Sequence, residues 1–162
     1  MLSDEEAESV QAMLRVERKG FASRRSADYL AVRKQLEEQA RAMFIDKGGK
    51  PRLQRPHYMT LGACEWLLEW YAHGTCLKLP LGCFNASAVS FTYGDLFPTM
   101  RYLDGKPYRE KVYTRDEIIQ VIEQFGLPQV WNADGSLGPE RYIEVQVWDD
   151  TPLRPYIKYV DR

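Results

Sequence analysis

Hydrophobic positions in the first part of the chain recur with the period of a helix. Ser3 and Glu6 have the spacing of a capping box, and the apolar residues after them predict a helix that ends at Gly20. Ser26 is the predicted N-cap of a second helix, which Gly48 ends. The second helix carries an apolar stripe made of Tyr29, Val32, Leu36, Ala40 and Met43. We expect this stripe to pack either on the rest of the chain or on a partner.

After this helical part the pattern changes to short strands separated by helices. Strands are predicted at residues 57–61, 76–79, 89–93 and 142–148. A helix from Cys64 to Gly74 follows the first strand, and a second capping box, Thr114 with Glu117, begins a helix that Gly126 ends. Because the strands and helices do not alternate regularly, we predict an α+β fold. Its sheet should be compact and mixed or antiparallel, with flanking helices and an N-terminal helical segment.

The segment between these two parts is basic and contains Gly48, Gly49 and Pro51, which predicts a flexible linker. We therefore divide the chain into an N-terminal helical segment, residues 1–47, and an α+β domain, residues 55–162. The lysines and arginines of the linker either contact phosphates or remain solvated in a loop.

Composition narrows the class of protein. A net charge of −1 argues against a globally basic nucleic-acid binder, and 44% hydrophobic residues argue against disorder. No apolar run approaches the ~18 residues of a membrane span, and we see no signal peptide. The three cysteines have no CxxC spacing, which is typical of reduced thiols and does not suggest a zinc site. We therefore expect a cytoplasmic protein that contacts no membrane and holds no metal.

The last predicted strand holds the most suggestive chemistry. Its alternation places Glu144 on a polar and aromatic face with Tyr142, Gln146 and Trp148. A carboxylate in such a place can accept hydrogen bonds from a sugar or stabilise a developing cation. The alternative is an ordinary exposed strand face on which Glu144 pairs with a lysine or arginine. If the face is a site, we expect Glu144 and Tyr93 to open onto the same cavity.

Taken in order, His57, Tyr93 and Glu144 resemble the H-Y-E signature of the diphtheria-toxin-like and PARP-like ADP-ribosyltransferases. A narrower similarity is to the DNA-modifying ADP-ribosyltransferase toxins. It rests on the strand with His57 and Thr60 before a helix, and on the run 89–93 followed by Pro-Thr-Met at 98–100. The resemblance covers roughly residues 55 to 155.

This resemblance implies an ADP-ribosyltransferase-like fold and NAD as a substrate. It implies that His57 contacts the adenosine ribose, that Tyr93 stacks on nicotinamide, and that Glu144 stabilises the oxocarbenium-like transition state. Thr60 belongs to the same cofactor-binding motif as His57, and Arg55 is a candidate for the pyrophosphate. The acceptor would be a nucleic acid or a protein. The alternative is a non-catalytic intracellular protein that uses its N-terminal helices to bind a helical partner or to form a homodimer.

Overall fold

The computed structural model describes residues 4–17, 28–70 and 74–156. Ser3, Gly20 and Ser26, where helix boundaries were predicted, lie outside these ranges. The helices are α1 (Asp4–Glu17), α2 (Tyr29–Asp46), α3 (Glu65–Leu68), α4 (Leu96–Thr99), α5 (Arg115–Phe125) and α6 (Pro128–Trp131). The strands are β1 (His57–Thr60), β2 (Val89–Tyr93) and β3 (Ile143–Val147). The fold is therefore α+β, and none of the described helices has the length and apolar character that crossing a membrane requires.

The three strands form one antiparallel sheet with β3 in the centre. The order is β1-β3-β2, so β3 has a neighbour on both sides; Val145 lies between Met59 and Phe91. Because side chains alternate along a strand, the aliphatic residues of all three strands share one face. Helix α5 covers that face, where Ile118 is buried among them. This face is the larger apolar core of the described chain.

Helix α5 has the boundaries that the sequence predicts. The Thr114 hydroxyl accepts a hydrogen bond from the Glu117 backbone N–H at 3.4 Å, and the Glu117 carboxylate accepts one from the Thr114 N–H at 2.8 Å. Gly126 ends the helix with a φ of +76°, a left-handed conformation that glycine adopts without strain. The capping-box prediction is confirmed.

The second face of the sheet is covered by α2 and α4. Leu36, Ala40 and Phe44 of α2 are buried in a cluster that includes Leu96 of α4 and Trp148 after β3. The apolar stripe of α2 thus packs on the rest of the chain. The packing brings polar residues of the same helix over the sheet, and these residues build the site described below.

The basic segment that follows α2 is held by hydrogen bonds. The backbone N–H groups of Arg52 and Leu53 both donate to the Trp148 carbonyl, at 3.0 and 2.9 Å. The Arg41 guanidinium donates to the carbonyls of Pro51 and Leu53 at 3.0 and 3.1 Å. The segment is therefore tied to the sheet and to α2 by hydrogen bonds, while its predicted flexibility and the division of the chain at this point stay predictions.

Two other predicted elements need correction. Residues 76–79 were predicted as a strand, but they are coil, and no described strand pairs with them. The side chains of residues 76–78 are exposed, so this segment has no buried face that would hold it against the sheet. The helix predicted over 64–74 is limited to the four residues of α3, as far as the structure describes this region. None of the four is fully buried, so α3 lacks the packing that provides most helical stability.

Candidate functional site

The face of the sheet under α2 and α4 is polar and almost completely buried. The strand register places Thr60 and Thr92 on either side of Glu144, and it places Tyr58 and Ser90 on either side of Gln146. Glu144 is only 3% exposed. An ordinary solvated strand face is therefore excluded, and each buried polar group must find a partner inside the protein.

A chain of hydrogen bonds fixes the side chains of this face. The Trp148 indole donates to the Ser90 hydroxyl at 2.8 Å, and that hydroxyl donates to Gln146 Oε1 at 3.0 Å. Gln146 Nε2 in turn donates to the Thr92 hydroxyl at 3.0 Å and to Glu144 Oε1 at 3.2 Å. The amide of Gln146 therefore holds one oxygen of the Glu144 carboxyl in place.

The Glu144 carboxyl lies at the beginning of α4. Its Oε1 also accepts the Leu96 backbone N–H at 3.1 Å, and its Oε2 lies 3.5 Å from the Tyr142 hydroxyl. Burial and the nearby charge of Asp95 raise the pKa of Glu144 to about 8, although Arg33, Gln146 and the Leu96 N–H act in the opposite direction. Glu144 is therefore a carboxyl group that favours its protonated form at neutral pH.

Asp95 supplies a second carboxyl at the same place. As the N-cap residue of α4, it accepts the Phe97 backbone N–H on Oδ1 at 2.7 Å. Its Oδ2 accepts the Tyr142 hydroxyl at 3.1 Å. Unlike Glu144, the Asp95 side chain is 35% exposed. The two carboxyls thus meet at one tyrosine hydroxyl, with Asp95 on the solvent side and Glu144 inside.

Arg33 of α2 is the cation that lies beside this pair in the described part of the chain. Its guanidinium lies 3.7 Å from Asp95 Oδ1 and 3.2 Å from Glu37 Oε1, and it stacks 4.1 Å from the centre of the Tyr58 ring. Burial alone would lower the pKa of Arg33, but Glu144, Tyr58 and Asp95 together hold it above its ordinary value. Arg33 therefore remains charged inside the fold.

Glu37, one helical turn after Arg33, joins α2 to β1. It accepts the Tyr58 hydroxyl at 2.7 Å, and the Arg55 guanidinium lies 3.9 Å away. Burial raises the pKa of Tyr58, and the charge of Glu37 adds to this effect while Arg33 opposes it. Tyr58 therefore stays a neutral donor, and Glu37, which is itself buried, lies between two guanidinium groups.

The five residues predicted to form the site are divided between the two faces of the sheet. Thr60 lies on the same face of the sheet as Glu144. The Arg55 guanidinium lies on that side too, 3.9 Å from the Glu37 carboxylate. Tyr93 pairs with Ile143, which puts it on the opposite, aliphatic face. The expectation that Glu144 and Tyr93 open onto one cavity is therefore wrong, because the register gives their side chains opposite directions.

Tyr93 and His57 have other surroundings on that opposite face. The Tyr93 hydroxyl donates to the Gly126 carbonyl at 2.8 Å and accepts the Trp131 indole N–H at 3.1 Å. Tyr93 thus stabilises the end of α5. His57 lines an open depression of about 250 Å³ with Tyr58, Met59, Leu77, Leu153 and Tyr156.

The sequence analysis did not identify Asp95 or Arg33 as residues of the site. Asp95 had a detectable signal, since an aspartate directly before a short apolar run is typical of an N-cap. Arg33 had none, because a charged residue beside an apolar stripe is normally solvated. Within the described ranges, no group of histidine, cysteine, aspartate or glutamate side chains has the arrangement of a metal site. Comparisons with known families, curated proteins and solved structures found no match to this chain.

Proposed function

We propose that the protein is an enzyme that transfers ADP-ribose from NAD to a macromolecular acceptor, a nucleic acid or a protein. The reaction centre would be the Asp95–Glu144 carboxyl pair. The observation that carries the proposal is the convergence of these two carboxyls on the Tyr142 hydroxyl beside Arg33. A titratable group perturbed by burial and by a specific charged neighbour is typical of functional sites.

The chemistry needs a negative charge close to the reacting sugar. When nicotinamide leaves NAD, the ribose carbon becomes positive, and a fixed carboxylate stabilises it in the transition state. Asp95 is the more exposed carboxyl of the pair, so we assign this role to Asp95. Glu144 lies behind it and, with its raised pKa, contributes mainly as a neutral group at pH 7.

The guanidinium groups of Arg33 and Arg55 suit the diphosphate of the same substrate. Arg33 and Arg55 both approach Glu37, from α2 and from the segment before β1. Arginine binds phosphate oxygens through charge-assisted and often paired hydrogen bonds. A bound diphosphate would compete with Glu37 for these two side chains.

The test is release of nicotinamide from NAD, with and without nucleic-acid and protein acceptors. Asp95→Asn keeps the N-cap oxygen but removes the charge, so we expect the rate to fall roughly 10²–10³-fold. Glu144→Gln should retain more activity near pH 7 than Asp95→Asn. The control is Asp149→Asn, because Asp149 likewise accepts a backbone N–H two residues later, at 3.0 Å, and should leave the rate unchanged. A parent protein without NAD cleavage under all conditions, or an Asp95→Asn variant with the parent rate, would refute the proposal.

One observation favours a second candidate function, that of a partner-binding protein. Val10 and Met13 on α1 are 43% and 58% exposed, and they lie three residues apart on the helix. Since the stripe of α2 is used inside the fold, α1 is the N-terminal helix left for a helical partner or a second copy. The double variant Val10→Asp, Met13→Asp should then no longer associate with the partner or with a second copy, as measured by the molar mass from light scattering. Val130→Asp on α6 should associate as the parent does. Unchanged association in the double variant would exclude this function.

A further inference from the structure

The carboxyl pair has an unusual hydrogen-bond arrangement around Tyr142. A tyrosine hydroxyl carries one hydrogen, which it can donate to one acceptor. The distance of 3.1 Å to Asp95 Oδ2 against 3.5 Å to Glu144 Oε2 assigns this hydrogen to Asp95. Glu144 Oε2 then faces the oxygen of Tyr142 without a hydrogen between them, unless Glu144 itself carries one.

The charges around the pair lead to the same conclusion. The charged groups joined by the contacts described above are the guanidiniums of Arg33 and Arg55 and the carboxyls of Glu37, Asp95 and Glu144. The other titratable groups that face this cluster are the tyrosines Tyr29, Tyr58 and Tyr142. Burial raises the pKa of Tyr58 and Tyr142, so these hydroxyls stay neutral. Three carboxyls oppose two cations, and a single proton balances the charge.

We infer that Asp95 and Glu144 hold one proton between them, with Tyr142 as the residue that positions it. The proton lies on Glu144 Oε2 and is donated to the Tyr142 oxygen, while Tyr142 donates its own hydrogen to Asp95 Oδ2. Every hydrogen then has an acceptor, and the single negative charge of the pair is placed on the exposed Asp95. The use of that charge in catalysis rests on the function proposed above, but the shared proton itself does not.

The inference can be tested by following the carboxyl carbons of Asp95 and Glu144 by ¹³C NMR during a pH titration. In the parent, we expect Glu144 to lose its proton near or above neutral pH and the Asp95 signal to move in the same transition. Asp95→Asn should move the Glu144 midpoint to lower pH by about one unit or more, because the like charge is gone. Tyr142→Phe keeps the ring beside Trp66 and should weaken the response of the Asp95 signal to Glu144, because the hydroxyl that joins the two carboxyls is removed while their like charge remains.

The matched control removes a carboxyl that does not belong to the charged cluster: Asp149→Asn should leave the Glu144 titration as in the parent. A Glu144 midpoint in the ordinary acidic range of the parent would overturn the inference. So would an unchanged midpoint in Asp95→Asn together with an unchanged Asp95 response in Tyr142→Phe. Because the titration needs no substrate, a protein with the shared proton but no NAD cleavage would refute only the proposed function. Conversely, NAD cleavage without a shared proton would overturn only this inference.

Discussion

Replacing Glu144 with glutamine should change how the stability of the protein depends on pH. Burial, together with the charge of Asp95, raises the pKa of Glu144 from 4.5 to about 8 against the opposing effect of Arg33. The folded protein therefore keeps this proton to a higher pH than the unfolded chain does. A raised pKa contributes its stability in full below pH 4.5, and that contribution is lost as the pH rises through about 8.

The size of the effect follows from the same values. One pKa unit corresponds to about 1.4 kcal/mol. The rise from 4.5 to about 8 therefore corresponds to a loss of at most about 5 kcal/mol in the free energy of unfolding of the parent. Glutamine is neutral at every pH and has nearly the same shape, so the variant lacks this loss. At low pH its free energy of unfolding should differ from that of the parent by ~1 kcal/mol, the contribution of one hydrogen bond. Near pH 9 the variant should be the more stable protein.

The assay is urea unfolding, followed by tryptophan fluorescence at several pH values between about 5 and 9. The carboxyls with lowered pKa are Asp104, Glu117, Asp134 and Asp149. Their stabilising effect is lost only as the pH falls into the acidic range, so they stay ionised throughout this window. Glu123→Gln on the exposed side of α5 is the control and should parallel the parent. A difference between Glu144→Gln and parent that does not vary with pH would refute the assignment of a raised pKa to Glu144.

Two substitutions test the two buried regions around this site. Val145→Asp places a charge between Met59 and Phe91 and should abolish the cooperative thermal transition measured by circular dichroism. The control is Val130→Asp, at a 74% exposed position, which should keep that transition. Glu140→Gln leaves buried Arg109 with Asp104 as its remaining carboxylate partner and should lower the free energy of unfolding by up to about 3–5 kcal/mol in urea denaturation; a loss below ~1 kcal/mol would contradict this assignment.

The sequence was sufficient for those features that depend on neighbouring residues. The capping box at Thr114 and the glycine at 126 specify both ends of α5 through contacts within four residues. The alternation around Val145 likewise predicted β3 and its aliphatic face, which is confirmed by the burial of that face against α5. Such features can be predicted because the interactions that form them lie within a single element.

The composition of the site depends on contacts between distant parts of the chain, and it could not be predicted in the same way. Tyr93 and Glu144 each lie on a buried strand, but only the register between β2 and β3 determines that they face opposite sides. The alternation of β2 groups Tyr93 with Val89 and Phe91, but the pairing with β3 is needed to place that group on the side of Ile143 and not of Glu144. Arg33 reaches the carboxyl pair through the packing of α2 on α4, two helices that lie far apart in the sequence.

The two most deeply buried glutamates of the described chain show why chemistry is expected at only one of them. Glu140 contacts Arg109 and lies 2.9 Å from Lys106, and both cations also pair with Asp104, so two cations face two carboxylates. Such an arrangement is that of a structural ion-pair network, in which removing one partner lowers the stability of the fold. Glu144 shares its nearest cation, Arg33, with two other carboxyls. Its protonation must therefore respond to pH and to any charged ligand that approaches the pair, and such a response is typical of carboxyls at functional sites.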